Sequence, residues 1–132
     1  MHLLVMLWSS LLTFGNLVLS SAIVILAFAE LIYMVTHNLR SDVARAFCAL
    51  LACVLIAYGG DIIVPRVTAA GAANAWLRTQ WLGIAFGPAA YLHFTDALLR
   101  TTNARSRRRR VVVVASYALS TVVFVLAATT DL

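Results

Sequence analysis

A chain of 132 residues has the length of one ordinary domain, yet 63% of its side chains are hydrophobic and only 11% are charged, where soluble domains hold roughly 45–50% and about 25%. A soluble fold of this size leaves much of its surface in water and has no room to hide so much apolar side chain, so lipid is its solvent. All ten basic residues behind the net charge of +5 are arginines, and the absence of lysine excludes a retinal Schiff base, which needs a lysine amine.

The first apolar segment runs from about Leu11 to Val35, behind the apolar lead Leu3 to Trp8. It is near the ~20 residues that cross a ~30 Å hydrocarbon core. Ala27-Phe28-Ala29 fits a small-residue cleavage pattern, but the start Met1-His2 lacks a cationic stretch and the apolar run is too long, so a retained helix is expected. The second segment covers about 43–64 and stops at Pro65, where a helix commonly ends. Its cysteines, Cys48 and Cys53, point to different faces of a helix and are expected to be small packing residues. The third segment, about 74–99, is the least uniformly apolar, and the fourth, about 111–128, is rich in valine. Backbone groups in lipid must bond internally, and four segments of this length cannot close a barrel. The expectation is all-α: one transmembrane domain over 1–132, its four helices joined by short loops as an up-and-down antiparallel bundle.

Arginine sets the orientation. With the N-terminus outside, the first and third loops carry Arg40, Arg45, Arg100, Arg105, Arg107, Arg108, Arg109 and Arg110, against Arg66 and Arg78 on the other side. Eight against two is a strong positive-inside bias. It places the arginine-rich loops in the cytoplasm and both termini outside the inner, or plasma, membrane. The six arginines between Arg100 and Arg110 sit between two apolar segments, so they are topology determinants, and no nucleic-acid partner is expected.

Ionisable groups within spans are functional suspects by default, because lipid burial is costly. Glu30, His93 and Asp96 lie at similar depth near the cytoplasmic side, and His93 and Asp96, three apart, share a helix face. They form a candidate polar or ligand site; alternatively Glu30 and Asp96 pair with Arg40 or Arg100 at the interface. On the outer side Asp61, Arg66 and Arg78 are candidates for an ion pair pinning the second hairpin. His2, His37 and His93 share no depth, and no metal-ligand spacing, phosphate loop or nucleophile elbow is present. No metal, cofactor or catalytic residue is expected. Gly83 and Gly87 form a GxxxG, Ser116 and Ser120 a second small-residue face, and Pro88 is expected to kink the third helix. Trp8, Trp76 and Trp81 on the outer side and Tyr33 on the inner side are interface anchors.

The most distinctive stretch is Gln80-Trp81-Leu82-Gly83, followed by Pro88 and then Leu92-His93-Phe94. It resembles the third helix of the seven-transmembrane sensory region at the N-terminus of many bacterial histidine kinases. Asn38-Leu39-Arg40-Ser41 is similar to that family's first cytoplasmic loop. The resemblance covers the second and third helices and implies a non-catalytic sensory or signal-input module with a protein partner or a second copy. Carried over, Gln80, Gly83, Pro88 and His93 match the family's run. Four spans in place of seven imply either the first part of a longer sensor or a shortened relative. A structural subunit of a membrane complex is the competing reading, and an oligomeric proton channel or transporter using Glu30, His93 and Asp96 is a third. Alkaline phosphatase fused after Leu132 is expected to be active, and an inactive reporter would overturn the orientation.

Overall fold

The computed structural model describes residues 2–102 and 107–130. Arg105 and Leu132 lie outside the described residues. Four helices follow one another: α1 (His2–His37), α2 (Asp42–Ile63), α3 (Ala70–Thr101) and α4 (Arg107–Thr129), with a 3-10 turn at Val64–Arg66. Among the described residues there is no strand. The fold is all-α, and α1, α2 and α4 are each long and apolar enough, by length and composition, to cross a membrane. The 32 residues of α3 rise about 48 Å at 1.5 Å each, more than a ~30 Å core needs, but Arg78, Gln80, His93, Asp96 and Arg100 make it less apolar.

Local chemistry sets the helix ends. Ser41 caps α2: its hydroxyl accepts from the Ala44 N–H at 3.1 Å, which satisfies one of the bare donors of the first turn. Asp42 in that turn pairs with Arg45. Pro65, which has no N–H to continue a helix, sits in the 3-10 turn where α2 stops. Pro88 lies within α3 instead, where it leaves the Ile84 carbonyl without its usual backbone donor. The first helix begins well before Leu11, because Leu4, Val5, Leu7 and Trp8 are as apolar as the segment that follows and all face outward.

The helices stand in a row. α1 packs on α2, α2 on α3 and α3 on α4, and among the described residues no packing joins α1 to α3 or α4. Neighbours are antiparallel, as the contacts between α2 and α3 show: Gly60 meets Gln80, Cys53 meets Gly83, and Phe47 lies 5.2 Å from Phe94. Between α3 and α4, Phe86 approaches Phe124 while His93 meets Tyr117.

Packing is inverted relative to a protein in water. Apart from Leu51, the buried apolar residues described are alanines, with Ala89 fully covered and Ala46 and Ala90 1% exposed, whereas Leu11, Leu19, Ile25 and Leu119 are each about two-thirds exposed. Lipid chains are as apolar as leucine, so association relies on close backbone approach, which small residues permit. The closest approach is at Gly83, where an added Cβ would lie 2.5 Å from the Cys53 carbonyl oxygen and 2.7 Å from the Ala57 nitrogen. The same addition at Gly87 meets nothing within 4 Å, so only the first glycine of the GxxxG serves packing within the chain. Gly83→Ala is therefore expected to destabilise the protein by about 1–3 kcal/mol, the usual cost of overpacking, while Gly87→Ala is close to neutral. Unfolding of both variants in mixed micelles checks the contrast.

Candidate functional site

Two polar layers lie along the row. The inner one joins α3 to α4. His93 Nδ1 stands 3.2 Å from the Tyr117 hydroxyl, with the rings edge to face at 5.9 Å between centroids. Phe86 packs against the same tyrosine at 6.4 Å and against Phe124 at 6.2 Å, so apolar rings flank this polar link. Imidazole and phenol can each donate or accept, which lets the contact survive a change of tautomer by reversing the bond.

One helical turn beyond His93, the Asp96 side chain is buried, with the whole residue 5% exposed. It accepts two hydrogen bonds from Arg100, Nε at 2.9 Å and a second from Nη2 on the same carboxylate oxygen. This i, i+4 pair neutralises the carboxylate within its own helix and leaves the guanidinium end partly exposed, so the arginine stem reaches toward the interface. His93 and Asp96 share a face of α3 but take different partners. Glu30 is elsewhere: it lies exposed on α1 beside Leu26, Ala29 and Tyr33, and among the described residues α1 packs its backbone on α2 and not on α3. Of the three residues expected to cluster, the fold brings two onto one face and leaves the third on a separate helix. Tyr117 supplies the partner for His93.

The outer layer joins α2 to α3. Gln80 Nε2 donates to Asp61 Oδ1 at 2.6 Å and to the Ala57 carbonyl at 3.0 Å. Gly60 makes room for it, since a Cβ there would lie 2.6 Å from the glutamine side chain. Ala57 has a helical carbonyl with a second lone pair to offer, and Gln80 uses it to cross between helices. Arg66 folds back onto the Ile62 carbonyl of α2, and Arg78 sits on the exposed side of α3. Gln80 is the residue that sequence reasoning about charges passes over; its signal was an amide within an apolar helix, one turn from the glycine of closest approach.

Remaining candidates fall into place as packing. Cys48 and Cys53 are half-buried thiols. Ser120 is buried, and the Ser116 hydroxyl donates to the Val113 carbonyl at 2.7 Å, both on the side of α4 that carries Tyr117. Trp8, Trp76 and Trp81 are exposed, and Tyr33 stacks on His37 at 4.8 Å.

A family model described as the N-terminal 7TM region of histidine kinase matches residues 17–132, all of α2, α3 and α4 and most of α1. No curated protein and no solved structure matches the chain. If the outer layer holds α2 to α3, a double-mutant cycle of Gln80→Leu and Asp61→Leu is expected to give a coupling of about 1 kcal/mol, in the range of interhelical hydrogen bonds in membranes. Additive losses would mean that the two side chains stabilise the protein independently.

Proposed function

The chain belongs to the family of histidine kinase N-terminal 7TM regions, and from that premise we propose that it receives a signal within the membrane and passes it on as a shift of α4 against α3. At the coarser level it is a membrane sensory input region of the kind found at the N-terminus of histidine kinases. The finer reading rests on the His93–Tyr117 link. It is a polar contact set among aromatic rings, so it forms in one register of the two helices and is lost when they slide. Ligand or bilayer stress that favours one register biases the equilibrium by its differential interaction with the two states.

His93 and Tyr117 are the site residues in this reading. Asp96 and Arg100 hold the inner end of α3 at the interface, and Gln80 with Asp61 fixes α3 to α2, so that displacement is directed to the α3–α4 side. The orientation proposed for the chain follows its arginines. The α1–α2 connection and the starts of α2 and α4 share one end with the end of α3, and this end holds Arg40, Arg45, Arg100 and Arg107 to Arg110. Arg66 and Arg78 lie at the other. The arginine-rich end is cytoplasmic by the positive-inside rule, with a kinase portion or a second copy of the chain as the partner that receives the shift.

Loss of one interhelical hydrogen bond of about 0.6 kcal/mol moves a two-state equilibrium roughly threefold. His93→Ala and Tyr117→Phe are each expected to change the basal output of the kinase this region serves by about that factor, in the same direction, and the double variant by no more than either alone. Leu119→Ala, on the open face of α4, is the control. Autophosphorylation in native membrane vesicles is the measurement; wild-type output from both site variants would overturn the assignment, and stoichiometric co-purification with a complex indifferent to them would favour a structural subunit.

A further inference from the structure

The two sides of α4 differ in chemistry. Toward α3 it turns Tyr117, Ser120 and Phe124. On the other side runs a groove of about 450 Å³ lined by Arg107, Arg110, Val111, Val114, Ala115 and Ala118. At 100° per residue these six positions fall within a band about 140° wide. Arg107 and Arg110 stand at its end, one turn apart and both exposed. Below them small and β-branched side chains form an apolar strip about two turns long. Arg109 projects to the opposite side and is half-buried.

The carboxylates at this end of the row are committed or remote. Asp96 is taken by Arg100 and Asp42 by Arg45, Glu30 lies on α1, which does not reach α4, and the first turn of α4 holds no acidic residue. Two guanidiniums without a described carboxylate partner, continuous with an apolar strip that points along the helix, match a molecule with a phosphate at one end and a hydrocarbon chain at the other. Arginine also suits phosphate better than lysine would, since its fork bonds two oxygens at once.

We infer that this face of α4 binds an anionic phospholipid, with its phosphate between Arg107 and Arg110 and an acyl chain along Val111, Val114, Ala115 and Ala118. The inference goes beyond the sensory reading and needs only that α4 spans the bilayer; it holds in whichever leaflet the arginines lie. A free phosphate would use the arginines and leave the apolar strip idle, and a packed protein helix would cover the strip and leave the arginines to water.

The test is a titration of the full chain in neutral detergent with short-chain phosphatidylglycerol, phosphatidylcholine or inorganic phosphate, read by thermal stability and by native mass spectrometry. Phosphatidylglycerol is expected to bind saturably and more tightly than phosphatidylcholine. With about 1 kcal/mol for each basic side chain at an anionic surface and 1.4 kcal/mol per decade, the double variant Arg107→Gln/Arg110→Gln should weaken it roughly thirtyfold. Arg109→Gln should leave affinity within about twofold. Ala118→Trp fills the strip with the charges intact and should weaken phosphatidylglycerol without altering the response to phosphate. Equal binding of the two lipids, equal losses in the Arg109 variant and the double variant, or protection by inorganic phosphate as strong as that by lipid would each overturn the site, and an unaffected Ala118→Trp would remove the chain-binding half of it.

Discussion

The contact on which the rest of the molecule depends is the close approach of the α2 and α3 backbones. Gly83 brings α3 against the Cys53 carbonyl and the Ala57 nitrogen, and one turn away Gln80 ties the same helices through Asp61 and the Ala57 carbonyl. In lipid, burying large apolar side chains against each other gains little over leaving them among acyl chains. Dispersion between atoms brought to contact distance is small per pair and grows with the number of pairs, so the absence of a side chain at Gly83 supplies more cohesion than a leucine there would. From this central pair α1 and α4 are flanking additions, and among the described residues α1 packs on α2 and α4 on α3.

The polar groups follow the same economy. Asp96 meets its arginine within α3, so its charge is neutralised without asking anything of a neighbour. Gln80 and His93 each reach a side chain on another helix. The Asp96 charge is thus settled within α3, while the amide of Gln80 and the ring of His93 tie one helix to the next. This division leaves the α3–α4 contact weaker than the α2–α3 contact, which has both a glycine approach and an amide clamp.

Sequence reading reached the four helices and their succession because the apolar lengths, the Pro65 stop and the arginine-bearing connections are local signals. It also reached the histidine kinase sensory family through the run from Gln80 to Phe94, which the family match bears out. Interfaces were less legible. Gly83 and Gly87 look alike in sequence, and only the position of α2 distinguishes the one that is packed. Depth arguments put Glu30 level with His93 and Asp96, but depth says nothing about lateral position, and Glu30 lies exposed on α1, which packs on α2. Tyr117 went unnoticed because attention to ionisable residues passes over a phenol in a valine-rich stretch, although Ser116 and Ser120 already marked the face it shares.

A row in which, among the described residues, backbone packing joins only sequence neighbours has a mechanical property that a closed bundle lacks: its main interfaces are springs in series. A given force produces the largest yield in the softest joint, and any displacement imposed at one edge arrives at the other reduced by every compliant layer between. A stimulus acting on α1 would have to cross two interfaces before it met the α3–α4 joint, whereas one acting on α3 itself is adjacent to it. Sensitivity in such an arrangement belongs to the inner helices, and α1 is free to serve as ballast and anchor in the bilayer.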